Sequence, residues 1–466
     1  MKNERERITH EVQFEREYDV VVVGGGTTGC CAAIAAARNG ARTAIVEYHA
    51  FLGGNMTGGI PWLGFHSFEE KRLIVKGIPL EIIERLQKCG GATDFVYDPI
   101  CSSAVGVNGT MTKMVLAEMM EEENVDIYLH SLASGVKKEG NTVKGVYIQN
   151  KQGCQLLSAK VVVDCTDSAD VCVMAGAGFE HGRRTDSKVQ VSSYVLTVGD
   201  VDMEKMVEYF KSKPDQMRPF KFKEEDMKAL LDNMSKAPVF VLGAFPELIA
   251  KAKAEGVEYA RDRLIGVAYP QQREISLVAS RVENVILNDV SNYSRAELSG
   301  MKQTRGILEL LRKYLPGCQN ARVVASGAQI GIRESRHIHG DYYLTAEDLL
   351  EGKNFEDGIA LGAYHLDIHS PDHNGLESKR PPIYQIPYRS LLVKGIEGLL
   401  VAGRGISASH EAMSSTRVAP ISAAQGQAAG TAAGLAAKSC VTPRNVEIGL
   451  LKKTLELQGA EIKSPT

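Results

Sequence analysis

The sequence predicts an α/β fold in which a parallel-sheet domain is assembled from both ends of the chain, with an α+β domain inserted between its halves. Three observations predict it. A short apolar run, Tyr18 to Val23, breaks abruptly into Gly24-Gly25-Gly26, and a small-residue stretch and a second apolar run follow; this is the pattern of a βαβ unit. Small-residue and glycine signatures return after about Asn320, in Leu399 to Gly405 and in Ala419 to Lys438. Between these ends the 466-residue chain changes character, and a chain of that length exceeds what one hydrophobic core sustains.

Taken in order, residues 1–17 read as a charged arm without the apolar stretch of a signal peptide. Thr28 to Asn39 (TGCCAAIAAARN) is a helix packed closely on a sheet, stopped by Gly40, and Ala41 to Glu47 is the second strand. A glycine-rich loop, Gly53 to Gly59, comes next. Helical patterning covers Pro79 to Lys88 and Met111 to Glu123, and Val125 to His130 reads as a strand. Gly135 to Gln155 alternates around two turn signals, which predicts a small β-meander, with Ala159 to Cys165 as a further buried strand. From about Arg183, strand-like runs at Val189 to Val198 and Arg273 to Val278 mix with amphipathic helices over Val201 to Lys211, Glu224 to Met234 and Ser291 to Tyr314. The expected boundaries are 18–182 and 318–440 for the two parts of the sheet domain. The inserted cap is expected at 183–317 and a C-terminal helix at 441–466.

Composition narrows the function classes. A net charge of -3 without a lysine or arginine cluster argues against nucleic acid or an anionic membrane surface as partner. No run approaches the roughly 18 apolar residues of a membrane span. The nine cysteines show no Cys-x-x-Cys spacing, so neither a zinc site nor a redox dithiol is indicated. An odd count with adjacent Cys30 and Cys31 suits reduced thiols in a cytoplasmic protein.

The first glycine cluster is the most informative feature. Gly24-x-Gly26-x-x-Gly29 follows a strand and opens a helix, and the acidic Glu47 closes the next strand, the context of a Rossmann-type dinucleotide fingerprint. Gly24 permits the turn, Gly26 lets backbone N–H groups approach a pyrophosphate, and Gly29 lets helix and strand pack closely. The helix N-terminus adds its dipole. Glu47 would accept from ribose hydroxyls, and with no arginine beside it a 2′-phosphate is disfavoured. Gly53-Gly54 supplies a second loop for close backbone approach. Arg417 and Pro420 precede the alanine-rich helix. Its small residues have two readings: tight packing alone, or an N-terminus aimed at the pyrimidine edge of a flavin, where Arg417 and the dipole would stabilise negative charge.

Several stretches carry a family resemblance over most of the chain. VVVGGGTTGCCAAIAAARNGARTAIVE with GGNMTGG, VVDCTDSADVCVMAGA, GIRESRHIHGDYYLTAEDL, and Ile386 to Ala433 with its AGRGIS loop resemble bacterial FAD-dependent oxidoreductases related to the fumarate reductase and succinate dehydrogenase flavoproteins. The resemblance implies noncovalent FAD. It places Gly24, Gly26, Thr28, Gly29, Glu47 and Gly54 at the adenosine and pyrophosphate, Thr166 and Asp167 after the strand that passes the cofactor, and Gly403 and Arg404 by the ribityl and pyrophosphate. Thr27, Gly53, Val136, Cys165, Arg417 and Val418 complete the candidate cofactor contacts. Cys165 has no redox partner in spacing and reads better as a small buried core residue than as a redox group. The sequence departs from these relatives in one respect. Their dicarboxylate clamp is His-x-x-x-Arg, whereas here His410 and Arg417 stand farther apart, so dicarboxylate reduction does not carry over.

Five residues are candidates for the chemistry: Arg333, His365, His369, His410 and Arg417. Arg333 has a planar fork suited to carboxylates, or belongs with Glu334 to a structural Arg–Glu network. His365-x-Asp367-x-His369 on an extended strand would share one face, giving a polar substrate pocket or acid/base group, or a structural hydrogen-bonded cluster. A metal site lacks a fourth ligand, and the resemblance implies no metal. His410 follows the AGRGIS loop and would serve proton transfer beside the flavin or stand behind it. The expected function is a two-electron oxidation or reduction of a small polar substrate at a domain interface, with an unidentified electron donor or acceptor. A homo-oligomer is left open. The alternatives are a flavin-dependent RNA-modifying protein and a non-catalytic FAD-bound electron-transfer module.

Overall fold

Four consecutive valines buried on both faces belong to an interior strand, and Val20 to Val23 are the centre of the main sheet. The structure is a computed structural model that describes residues 11–217, 228, 230–231, 234, 236–373 and 376–464. Its first elements are β1 (Val12–Val23), α1 (Thr27–Arg38) and β2 (Thr43–Val46), followed by β3 (Asp126–Tyr128), β4 (Leu132–Glu139), β5 (Thr142–Asn150) and β6 (Gly153–Asp164). The strand order is β3-β2-β1-β6-β5-β4, and Leu399–Val401 pairs in parallel with β6. The last strand to join therefore comes from the far end of the chain, as the sequence predicts.

Three expectations need correction. β1 begins at Val12, inside the presumed arm, because Glu15 to Ala159-facing Tyr18 continue the parallel ladder on β6. The meander and the buried strand at Ala159 to Cys165 are not separate: β6 is one strand of 12 residues, antiparallel to β5 at its start and parallel to β1 along its length. Of Val189 to Val198, only the end enters a strand, Leu196–Gly199. The preceding backbone is instead held by side chains and neighbouring loops: Gln190 N–H donates to Glu334, Val191 N–H to the His369 carbonyl, and Tyr194 N–H to Ser280 Oγ. The helix expected over Glu224 to Met234 lies largely outside the described residues.

α1 and the Ala419–Ser439 helix pack almost backbone to backbone. A Cβ on Gly426 would stand 2.1 Å from the Thr28 carbonyl oxygen, and one on Gly430 would stand 2.0 Å from that of Ala32. Glycines four apart share one helix face, so the alanine-rich composition is a contact stripe. It brings the N-termini of both helices, Gly26 to Thr28 and Val418 to Ser422, to the same cavity.

A second, antiparallel sheet has the order Phe240–Ala244, Leu264–Tyr269, Glu274–Leu277, Leu196–Gly199 and Arg322–Ser326. It has its own hydrophobic core, including Met206, Phe210, Phe245, Leu310 and Leu311, formed with the Met203–Ser212, Pro246–Ala254 and Val290–Tyr314 helices. Among the described residues no helix is long and apolar enough to cross a membrane.

Candidate active site

A cavity of about 630 Å³ runs between the two sheets. At one end lies the glycine fingerprint. Gly24 has φ +101°, and a Cβ there would meet the Cys165 carbonyl oxygen at 2.3 Å. A Cβ on Gly29 would fall 1.8 Å from the Gly24 carbonyl oxygen, whereas a Cβ on Gly26 would meet nothing within 4 Å. Gly24 and Gly29 are therefore demanded by protein packing, whereas the space around Gly26 is left open. α1 has no side-chain cap and no acidic residue in its first turn, which leaves its N–H groups and dipole for an anion.

The second glycine loop lies directly on the first. Gly53 N–H donates to the Gly25 carbonyl at 2.8 Å, and Gly53 and Gly54 take φ values of +100° and +55° that glycine alone adopts readily. Glu47 lines the cavity, with its two carboxylate oxygens accepting from Gly25 N–H at 2.6 Å and His49 N–H at 2.8 Å. Each oxygen retains acceptor capacity for a ribose hydroxyl.

The loop after β6 forms the adjoining wall. Asp164, a residue the sequence reading passed over, is fully buried, accepting from Thr166 N–H and Oγ1 and from Cys172 N–H. It shapes the turn that presents Cys165, Thr166 and Asp167. Burial pushes the Asp164 carboxyl and the Cys165 thiol up, so that thiol is a packing group. Asp167 pairs with Arg404 at 2.9 Å, and Arg404 Nε is buried without a partner.

The far end of the cavity gathers the polar candidates. Arg417 donates to the carbonyl and the carboxylate of Asp367, each at 3.0 Å, and Asp367 also faces His369 Nε2 at 3.3 Å. His365 bonds Ser378 Oγ at 2.6 Å through Nδ1, and all three members of the His-x-Asp-x-His run line the cavity. Burial, and then the Arg333 charge, holds His369 neutral, down to about 3; burial also lowers His365. Although burial opposes it, His369 and Arg417 keep Asp367 well below the usual carboxylate range. Val418, Ala419 and Ser422 complete this wall, and the helix they begin has no side-chain cap.

Arg333 and Glu334 do not form a network with each other. Arg333 Nη1 donates to the Val191 carbonyl at 2.6 Å and to Ser193 Oγ at 2.9 Å in the cavity. Glu334 is aimed the other way, accepting from His410 at 2.8 Å and His337 at 3.0 Å. His410 is thus tied to a buried carboxylate and, with Gly29, Val136 and Gly403, does not line the cavity. Arg261 does line it. Nothing in the local sequence marks Arg261, because the second sheet alone brings it to this site.

The residues fit an extended dinucleotide that carries a flavin. The cradle left open at Gly26, two uncapped helix N-termini, and Arg404 and Arg417, each with a buried unpartnered Nε, all line one cavity. The model of the FAD dependent oxidoreductase family matches residues 19–455. The chain belongs to that family. FAD is its cofactor, and this flavoprotein is an oxidoreductase. No curated protein matches it. Among solved structures it is similar to a geranylgeranyl bacteriochlorophyll reductase-like protein from Thermoplasma acidophilum, at 14% identity and a TM-score of 0.42 over 96% of this chain and 85% of that one. It is also similar to the p-nitrophenol 4-monooxygenase PnpA from Pseudomonas putida DLL-E4, at 11% identity and a TM-score of 0.45 over 96% and 84%. A third is the L-proline dehydrogenase from P. horikoshii, at 11% identity and a TM-score of 0.40 over 96% and 100%.

Proposed function

We propose that this flavoprotein carries out a two-electron oxidation or reduction of a small polar organic substrate at the far end of the cavity, between the main sheet and an inserted domain spanning 183–317. One observation carries the reading. The cavity is continuous from the Gly24–Gly26 cradle, past Arg417 and Val418, to Arg333, His365, Asp367 and His369, so a cofactor and a substrate would share one space. Bound FAD supplies hydride-accepting or hydride-donating chemistry.

The chain's own residues position and protonate. Gly24, Gly26, Thr27 and Thr28 present backbone N–H groups to the pyrophosphate, Glu47 holds the ribose, and Arg404 lies along the phosphate side. Arg417 and the first turn of the Ala419–Ser439 helix face the edge where negative charge gathers on reduction. Asp367 remains ionised and orients both Arg417 and His369. A neutral His365 ring can accept a substrate proton, while His369, whose protonation burial and the Arg333 charge oppose, serves as a hydrogen-bonding partner. The second sheet covers the cavity and excludes water, the setting in which pockets commonly form.

The same reading holds FAD noncovalently and keeps kinship with the fumarate reductase and succinate dehydrogenase flavoproteins. It also places the enzyme in the cytoplasm, which its nine unpaired cysteines support. Its test is anaerobic reduction of the purified protein by NADH, NADPH and dithionite, followed by a screen of electron acceptors. Protein that shows no flavin absorption and takes up no FAD would sink the reading.

A further inference from the structure

A buried guanidinium, Arg261, and a half-buried one, Arg333, meet at one hydroxyl in this cavity. Arg333 Nη1 and Arg261 Nη2 each donate to Ser193 Oγ at 2.9 Å, and Arg261 Nε donates to the Ser280 carbonyl at 3.0 Å. Among the described residues the pair's other hydrogen-bond partner is the Val191 carbonyl, which accepts from Arg333 Nη1. Among the described residues neither arginine forms an ion pair. Asp262, beside Arg261, is paired with Arg263, and Asp367 is shared by Arg417 and His369.

This arrangement is costly for the protein alone. Arginine stays protonated in proteins, and a buried charge without a counter-charge is expensive. Arg261 is only 4% exposed, and burial pushes it down to about 10. Burial, then the nearby Arg261 and Arg417 charges, pushes Arg333 well below its ordinary value. Three guanidiniums, Arg261, Arg333 and Arg417, thus line the cavity near one carboxylate, Asp367, which pairs with Arg417, and two neutral histidines. The pyrophosphate does not answer this excess, because its cradle is at the other end with Arg404 and α1.

We propose that Arg261 and Arg333 form the binding site for a carboxylate group of the substrate, with Ser193 fixing the spacing between the two forks. The proposal rests on the functional reading above and adds the substrate's charge. A planar carboxylate can accept from both guanidiniums at once, and its negative charge relieves the repulsion between them. The site lies beside Asp367 and His369 through Val191, whose N–H donates to the His369 carbonyl. A carboxylate held there leaves the rest of a small molecule within the same cavity as Arg417 and Val418.

The test titrates FAD-loaded enzyme with acetate, pyruvate, succinate and benzoate, each paired with its amide, and reads the visible flavin spectrum. At least one acid should perturb the bound flavin saturably while its amide does not. Arg333→Gln and Arg261→Gln should each weaken that acid at least about tenfold, the loss expected for one charge-assisted hydrogen bond, with flavin content unchanged. Arg333→Lys should recover part of the affinity. The proposal is overturned if the amides bind as tightly as the acids, or if no acid perturbs the flavin. If one glutamine variant fails to fold, the acid–amide comparison on the wild-type enzyme still decides. If the protein takes up no FAD, the functional reading fails, and the same titrations read by calorimetry test the arginine pair separately.

Discussion

The three glycines of the fingerprint do different work, and substitution should separate them. A methyl group on Gly29 would collide with the Gly24 carbonyl oxygen, so Gly29→Ala should cost about 1–3 kcal/mol of stability and most of the FAD affinity. A methyl group on Gly26 meets only open space. Gly26→Ala should therefore keep the wild-type melting temperature of the apoprotein and still bind FAD poorly, as differential scanning fluorimetry with and without FAD would show. Equal loss of stability in both variants would contradict this division. The buried Glu334 cluster gives a pH-dependent counterpart. Against the opposing effect of burial, hydrogen bonds from His337 and His410 hold Glu334 down to about 2, and Glu334 raises His410. A lowered carboxylate stabilises above its unfolded value and loses that contribution as pH falls through its folded one; a raised histidine stabilises below its unfolded value and loses it as pH rises through its folded one. His410→Ala should accordingly cost about 1–3 kcal/mol, most fully between roughly pH 4.5 and 6.5, and progressively less at alkaline pH. Melting curves of both proteins across pH measure the difference, and a gap that widens with rising pH would refute it.

At the scale of elements, the decisive contact is between α1 and the Ala419–Ser439 helix. Gly430 abuts the backbone of Ala32, while the nearest atom to a Cβ on Gly434 is the side-chain Cβ of Asn39 at 2.9 Å. The Ala36 carbonyl oxygen is a further 3.1 Å neighbour of that Cβ, so both overlaps at Gly434 are milder than the 2.0 Å one at Gly430. Gly430→Ala should cost about 1–3 kcal/mol and reduce flavin retention, because parting the helices moves both N-termini away from one cavity. Gly434→Ala should cost less. Chemical denaturation and the flavin-to-protein ratio after gel filtration test the ranking. The extended segment before Leu196–Gly199 illustrates the reverse case. Its alternation looks like a strand, yet its N–H groups go to Glu334, Ser280 and the His369 carbonyl, and this is how the second sheet's lead-in becomes a wall of the site.

For the whole molecule, the cavity draws its walls from both ends of the chain and from the second sheet. FAD bound there would tie segments more than 350 residues apart in sequence, such as Gly26 and Arg417, and would favour the folded state by mass action. At a free concentration of 100 times Kd the stabilisation should be about 2.7 kcal/mol, seen as a rise in melting temperature that grows with added FAD. A melting temperature indifferent to FAD would mean that the cofactor does not bridge these segments in the native protein.

The sequence by itself determined the βαβ opening, the phosphate cradle and the return of the chain to the same sheet, because each depends on local signals: a glycine at a turn, an acidic residue at a strand end, a run of small residues. It also brought His365, Asp367 and His369 onto one wall, since alternation along a strand is a local rule. It left His410 open between two places, since proximity to the AGRGIS loop says nothing about which way the ring faces; the buried Glu334 turns it away from the cavity. It passed over Asp164, whose work is done by hydrogen bonds to backbone atoms up to Cys172. It could not find Arg261, which reaches Ser193 only through the pairing of the second sheet. Local chemistry thus specified the cofactor, and tertiary packing alone chose the charges that gather at the far end of the cavity, because the energy of a buried charge depends on neighbours that the linear sequence does not place.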